Sequence, residues 1–313
     1  MKIVMLDADT LPVKLTKPDW CSQWEYRANT LPGDIVSALS SAEIAITNKV
    51  PLRADTLKQL PELRFICITA TGYDCVDIEY CRNKNIAVSN VPGYSSRSVA
   101  EGVIASMFAL RRNLVSYAQL GKNSWASATN FCMHREPIKD IHESTLGIIG
   151  KGDIGSSVAK MAKALGMSVL FAERKGSQGV REGYTAFEEV LNRSDIISLH
   201  CPLSSETLEM MDKEVFALMK SNALIINTAR GGLISESDLR AALDNNIIAG
   251  AALDVLSVEP PPSDHPLLLC SHPNLIITPH IAWASTSGVN NLINGINNNL
   301  TGYRSGKIIN SII

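Results

Sequence analysis

The sequence predicts an α/β protein with two doubly wound parallel sheets. Three observations carry that expectation. Short β-rich apolar runs alternate with helical stretches, as parallel sheets covered on both faces require. The chain has 313 residues, and at roughly 100–200 residues per domain that length suggests two units. The alternation lapses once, between about residues 97 and 144, and then resumes.

In the first stretch, Lys2–Leu6, Glu43–Thr47, Phe65–Ala70 and Ile86–Ser89 read as strands. Asp34–Ser41, Arg53–Leu60 and Asp77–Asn83 read as the helices between them. Val99, Val103, Ile104, Met107, Leu110 and Leu114 then recur at helical spacing, which predicts one long helix from Arg97 to about Lys122. Residues 123–144 show no clear period. From Thr145 the strands are Leu146–Ile149, Ser168–Ala172, Ile196–Leu199, Ala223–Asn227, Gly250–Val255 and Leu275–Thr278. Helices fit at Ile154–Leu165, Ala186–Asn192, Lys213–Met219 and Glu236–Asp244. A last helix over Ser287–Leu300 has Val289, Leu292, Ile293, Ile296 and Leu300 on one stripe and asparagines on the other face. The two long helices flank the more regular unit. The expected division is therefore 1–98 plus 287–313 against an inserted unit at 99–286, with a ligand cleft between them.

Charge and composition exclude several classes. Basic side chains number 29 and acidic ones 31, for a net charge of −2, so nothing electrostatic favours nucleic acid or an anionic membrane surface. Aromatics are 5%, too few for stacking single strands. The apolar run Gly102–Leu110 is far short of the roughly 20 residues a spanning helix needs. His265 to Tyr303 lacks any Asp, Glu, Lys or Arg, but Pro, Ser, His and Asn break it up. Asp7 and Asp9 interrupt any signal-peptide pattern at the N-terminus. The seven cysteines include no Cys-x-x-Cys pair. They read as buried free thiols in a reducing cytoplasm, not as disulfides or a metal site.

Gly150-Lys-Gly152-Asp-Ile-Gly155 follows the strand LGII and opens a helix. Glu173 lies 18 residues past Gly155 at the end of the next strand. In that setting the glycines read as a dinucleotide fingerprint. Gly150 permits the turn, Gly152 lets a pyrophosphate approach, and Gly155 lets helix and strand pack, with phosphate at the helix start. Glu173 would accept from ribose hydroxyls and repel a 2′-phosphate, favouring NAD. Arg174 and Lys175 follow at once, and cations there would instead hold such a phosphate.

Three strand ends carry further chemistry. Asn227-Thr-Ala-Arg230-Gly-Gly ends one strand. Ala252-Leu-Asp254-Val ends the next and leads into Ser257-Val-Glu259-Pro. Thr278-Pro-His280-Ile-Ala-Trp283 ends the last. Ligands bind at the carboxyl ends of parallel strands. Arg230, Asp254, Glu259 and His280 would therefore gather on one edge: an anion clamp, two carboxylates and a proton donor. Each alone has a structural use. Together, opposite a cofactor fingerprint, they read as a site.

These stretches, with Thr71-Gly72-Tyr73-Asp74 and Ser98-Val-Ala-Glu101, resemble the D-isomer-specific 2-hydroxyacid dehydrogenase family over nearly the whole chain. AERK at 172–175 and PHIAWAS at 279–285 are most similar to its bacterial glycerate dehydrogenases, or hydroxypyruvate reductases. The resemblance implies a flavodoxin-like substrate domain, a Rossmann cofactor domain and a homodimer. It implies Arg230, Glu259 and His280 as the catalytic set and backbone amides of Thr71 and Gly72 on the substrate carboxylate. NAD contacts are implied at Asp153, Ile154, Glu173, Cys201, Thr228, Ala229, Arg230, Asp254, His280 and Trp283. Departures from the family pattern are Ser235 at a helix cap, Glu173 in place of the commoner Asp, and Trp283 in place of a small residue. Trp283 would shape the substrate pocket and favour hydroxypyruvate over bulkier keto acids.

The implied reaction reduces hydroxypyruvate to D-glycerate, and glyoxylate to glycolate, by hydride transfer from the nicotinamide. His280 would give a proton to the keto oxygen, Arg230 would steady its charge, and Glu259 would bond the far ring nitrogen. Asp254 would orient the nicotinamide carboxamide. Two rivals remain. One is an NADP-linked reductase of glyoxylate or another small 2-keto acid. The other is an NAD-sensing corepressor-type binding protein on the same scaffold.

Overall fold

The computed structural model describes all 313 residues, which divide into two compact units. One comprises Met1–Ser95 with Ala284–Ile313, and the other is Ser96–Trp283.

The N-terminal part of the first unit runs β1 (Lys2–Met5), β2 (Gln23–Tyr26), α1 (Ile35–Leu39), β3 (Ile44–Thr47), α2 (Ala54–Leu57), β4 (Phe65–Ile68), α3 (Ile78–Lys84) and β5 (Ala87–Ser89). All pairs are parallel, in the order β2-β1-β3-β4-β5. β3 (IAIT) and β4 (FICI) are buried along their whole length, which is why they read as unbroken apolar runs. β2 carries no such signal in the sequence. Its QWEY is partly exposed and pairs only along β1, at the sheet edge.

The second unit runs α4 (Ser96–Arg111), α5 (Leu114–Ser124), β6 (Thr145–Ile149), α6 (Asp153–Ala164), β7 (Ser168–Ala172), α7 (Phe187–Arg193), β8 (Ile196–Leu199), α8 (Lys213–Leu218), β9 (Leu224–Asn227), α9 (Glu236–Asp244), β10 (Gly250–Leu253) and β11 (Leu275–Ile277). Its strands are all parallel, in the order β11-β10-β9-β8-β6-β7. α4 and α6 cover one face, with Val103, Met107, Val158 and Ala162 against Ile148 and Ile226. α7, α8 and α9 cover the other, with Val190, Phe216 and Leu243 against Ile197 and Ile225.

The single helix expected over 97–122 is two helices. Asn113 sits in the left-handed region at φ 47 and separates α4 from α5. Its side chain donates to the Pro137 carbonyl at 2.8 Å. Leu110 and Leu114 keep helical spacing across the break, so the apolar pattern does not register it. Leu110 is buried and Leu114 is 58% exposed, which shows that the stripe ends at the break.

The last helix, α10 (Thr286–Arg304), belongs to the first unit. Val289, Leu292, Ile296 and Leu300 are buried on it, and Tyr303 stacks on Phe65 with centroids 4.6 Å apart. Asn299 departs from the expected polar face. It is fully buried, and its amide donates to the Asn90 carbonyl at 2.7 Å. No helix is long and apolar enough to cross a membrane.

Candidate active site

The glycine loop follows β6 in the second unit. Gly150 has φ +106, and a Cβ there would lie 2.5 Å from the His200 backbone carbon. A Cβ on Gly155 would lie 2.1 Å from the Gly150 carbonyl oxygen. The chain itself requires both glycines. Gly152 differs: its φ of −82 suits any residue, and no protein atom lies within 4 Å of where its Cβ would be. It is the N-cap of α6 and supplies no capping side chain, so the first amides of Asp153 and Ile154 open the helix uncapped.

Next along the same sheet edge, Asn227 builds the turn after β9. Its Oδ1 accepts from Ala229 N–H at 3.0 Å and its Nδ2 donates to the Arg230 carbonyl at 2.9 Å. Thr228 in that turn has a buried hydroxyl with no hydrogen-bond partner. Cys201 follows β8, and burial pushes its thiol up to about 11, so it is a neutral lining group. Open space at Gly152, an uncapped helix start and an orphaned hydroxyl at Thr228 together fit a bound dinucleotide.

His280 and Glu259 meet at the ends of β11 and β10. The Nδ1 of His280 lies 2.6 Å from Glu259 Oε2, and Leu256 N–H donates to Glu259 Oε1 at 3.0 Å. Both side chains are about one-third exposed, at 30% and 34%. His280 adopts φ 55, a left-handed conformation uncommon for a non-glycine residue. Its surroundings impose that shape. His280 N–H donates to the Asp254 carbonyl at 2.8 Å, and the Trp283 indole donates to the His280 carbonyl at 2.9 Å. Arg230 lies at the turn after β9, with Nη1 donating to the Ala229 carbonyl at 2.7 Å. Gly231 lets the next loop run against that turn, because a Cβ there would lie 1.9 Å from the Leu256 backbone carbon.

Two expected cofactor contacts are engaged within the protein. Asp254 is 5% exposed and accepts from Thr278 Oγ1 at 2.6 Å and from the amides of Ile281 and Ala282, both at 2.9 Å. These bonds tie its carboxylate to the His280 loop. Glu173 is ion-paired with Arg181, whose Nη2 lies 2.6 Å from Oε1. The guanidinium holds the carboxyl down at about 2. Thr71 and Gly72 belong to the first unit. There Thr71 Oγ1 donates to the Val91 carbonyl at 3.0 Å, and the Thr71 carbonyl accepts from Asn90 at 2.7 Å.

Sequence reasoning missed one supporting contact. Ser98 donates to the Ala282 carbonyl at 2.7 Å and thereby ties α4 to the His280 loop. Ser235, placed at a helix cap, is the N-cap of α9 but bonds Ser237 Oγ at 3.3 Å instead of a helix amide. Four of the seven free cysteines are buried. No group of three or more His, Cys, Asp or Glu is placed to hold a metal ion.

Comparison with known proteins bears on this geometry. Residues 104–282 match the family described as D-isomer specific 2-hydroxyacid dehydrogenase, NAD binding domain. The chain is 42% identical to a glycerate dehydrogenase of Methylorubrum extorquens, covering 98% of this chain and 97% of that one. It is 35% identical to a hydroxypyruvate reductase of Blautia hydrogenotrophica, covering 100% and 99%. Among solved structures it is similar to a D-lactate dehydrogenase of Aquifex aeolicus complexed with NAD and lactic acid. That likeness has a TM-score of 0.82 at 28% identity and covers 97% of this chain and 96% of that one.

Proposed function

The chain belongs to the D-isomer-specific 2-hydroxyacid dehydrogenase family, and on that premise we propose that it reduces hydroxypyruvate to D-glycerate, and glyoxylate to glycolate, with NADH. The observation that carries this reading is the His280–Glu259 pair on the sheet edge that also bears the glycine loop. The cofactor, when bound, supplies a hydride for the substrate's carbonyl carbon. The chain's own residues do the rest. Glu259 accepts the Nδ1 proton of His280, which fixes the ring and leaves Nε2 to pass a proton to the carbonyl oxygen. Arg230 pairs with the substrate carboxylate and steadies charge growing on that oxygen. Asp254, Trp283 and Ser98 act through His280 by shaping its loop. Trp283 also bounds the pocket and favours a small substrate.

Glu173 favours NADH, since a carboxylate repels a 2′-phosphate. Two further readings concern the whole protein. Phe131, Trp125 and Leu114, at 89%, 57% and 58% exposure, put apolar surface around α5, which supports a homodimer. The seven free cysteines suit a reducing compartment and support a cytoplasmic location.

The test is steady-state oxidation of NADH with hydroxypyruvate, glyoxylate, pyruvate and branched 2-keto acids. The expected result is the highest kcat/KM with hydroxypyruvate. Absence of turnover with every acid would overturn the reading and favour a nucleotide-sensing binding protein.

A further inference from the structure

A carboxylate offers about four acceptor positions, and the fold fills all four at Glu173. Oε1 accepts from Arg174 N–H at 2.9 Å and Arg181 Nη2 at 2.6 Å. Oε2 accepts from Arg181 N–H at 3.1 Å and Arg181 Nε at 2.7 Å. The Glu173 side chain is 4% exposed, whereas that of Arg181 is 55% exposed. The same guanidinium lies over the Tyr184 ring, 4.1 Å from its centroid. Lys151, between the first two glycines of the loop, stands over that ring at 5.0 Å and over Phe171 at 4.8 Å. One buried carboxylate therefore shares its corner with two cations.

A ribose whose hydroxyls donate to Glu173 needs acceptor positions that are already taken. The two backbone N–H groups belong to the turn and stay in place. The exposed guanidinium is the partner that can leave. We propose that Arg181 is a displaceable latch on Glu173 that sets the choice between NADH and NADPH, an inference that rests on the function proposed above. Binding NADH displaces the latch and loses its ion pair. With NADPH, the released guanidinium and Lys151 meet the 2′-phosphate, so the residue that competed with the ribose becomes a partner of the cofactor. Arg181 thus acts against NADH and for NADPH, and narrows the preference that Glu173 alone would impose.

The test is equilibrium titration of NADH and NADPH, followed by cofactor fluorescence, into wild type, Arg181→Met and Arg181→Lys. Arg181→Met is expected to bind NADH roughly threefold to tenfold more tightly and NADPH roughly tenfold more weakly. Arg181→Lys keeps the charge but not the planar fork, so its NADH-to-NADPH affinity ratio is expected to fall between the other two. It also keeps the test open if the methionine variant fails to fold. A ratio within about twofold of wild type in the folded variants would overturn the latch while leaving the proposed function standing. A wild type that binds neither cofactor would overturn the function and the latch with it.

Discussion

The two units carry the same kind of sheet and use its switch point in opposite ways. In a doubly wound sheet the strand order reverses at one place, and a crevice opens there at the carboxyl ends. In the first unit that place lies between β1 and β3, and Asp7 fills it. The Asp7 carboxylate accepts from the amides of Asn48, Lys49 and Val50 at 2.9, 2.7 and 3.3 Å. Burial pushes its carboxyl up against the pull of those amides. In the second unit the reversal lies between β6 and β8, and the chain puts Gly150, Gly152 and the uncapped start of α6 there. One unit supplies its own anion to the nest of amides. The other leaves its amides for a ligand. Topology offers a crevice, and the side chains decide whether it becomes a site.

That contrast can be broken from several directions. Arg230→Ala acts only on the second unit's edge and is expected to have the largest effect. Losing both the carboxylate clamp and the charge stabilisation is expected to lower kcat/KM for hydroxypyruvate by about 10³-fold or more. Steady-state kinetics with a parallel NADH titration would check this, and loss of cofactor affinity alone would remove Arg230 from the substrate. Gly152→Ala separates ligand from fold. With no protein atom within 4 Å of the new methyl, thermal stability is expected to hold while NADH binding weakens by roughly tenfold or more. Gly155→Ala is the foil, because its methyl would clash with the Gly150 carbonyl and lower both.

Asp7→Asn attacks the first unit and is expected to behave in the opposite way. With its amide oxygen in the place of Oδ2, which all three amides reach, its nitrogen would still face the Asn48 N–H and the charge would be lost, costing on the order of 1–3 kcal/mol of stability with cofactor affinity unchanged. Urea unfolding and NADH titration of the same sample would show whether the two units respond separately. The smallest effect concerns acid. His200 follows β8, is bonded to Ser198 Oγ at 2.8 Å, and burial lowers its imidazole to about 4. The unfolded chain binds that proton near pH 6.5, and the folded chain does not until about pH 4. Stability is therefore expected to fall as pH drops from 6.5 towards 4, by on the order of 1–3 kcal/mol, and then to level off. His200→Gln is expected to flatten that slope in urea midpoints measured across the range.

The sequence conveys this contrast unevenly. The glycine loop is legible because strand, glycines and helix follow one another within a few residues. His280 is legible as a residue just past the end of β11, whereas Glu259 lies six residues past the end of β10, so its approach to His280 is legible only through the family resemblance. Asp7 is illegible. It reaches amides some forty residues away, and nothing in its neighbourhood marks it as an acceptor. Arg181 meets Glu173 across an irregular loop with no periodicity, so the pair hides among ordinary surface charges. Asp254 is legible in part. A strand-end position gives the place of a carboxylate, whereas the bonds to Thr278, Ile281 and Ala282 depend on how the next strand end folds back. β2 is short and lies at an edge, and the break at Asn113 preserves the apolar spacing.

In the proposed reaction His280, set by Glu259, passes the proton while the second unit holds the cofactor. The measurement that tests it most directly is single-turnover reduction of hydroxypyruvate by NADH in wild type and His280→Gln, with NADH affinity measured on the same preparations. NADH is expected to bind both proteins about equally, and the variant to turn over roughly 10²–10⁴-fold more slowly. Equal rates in the two proteins would contradict it.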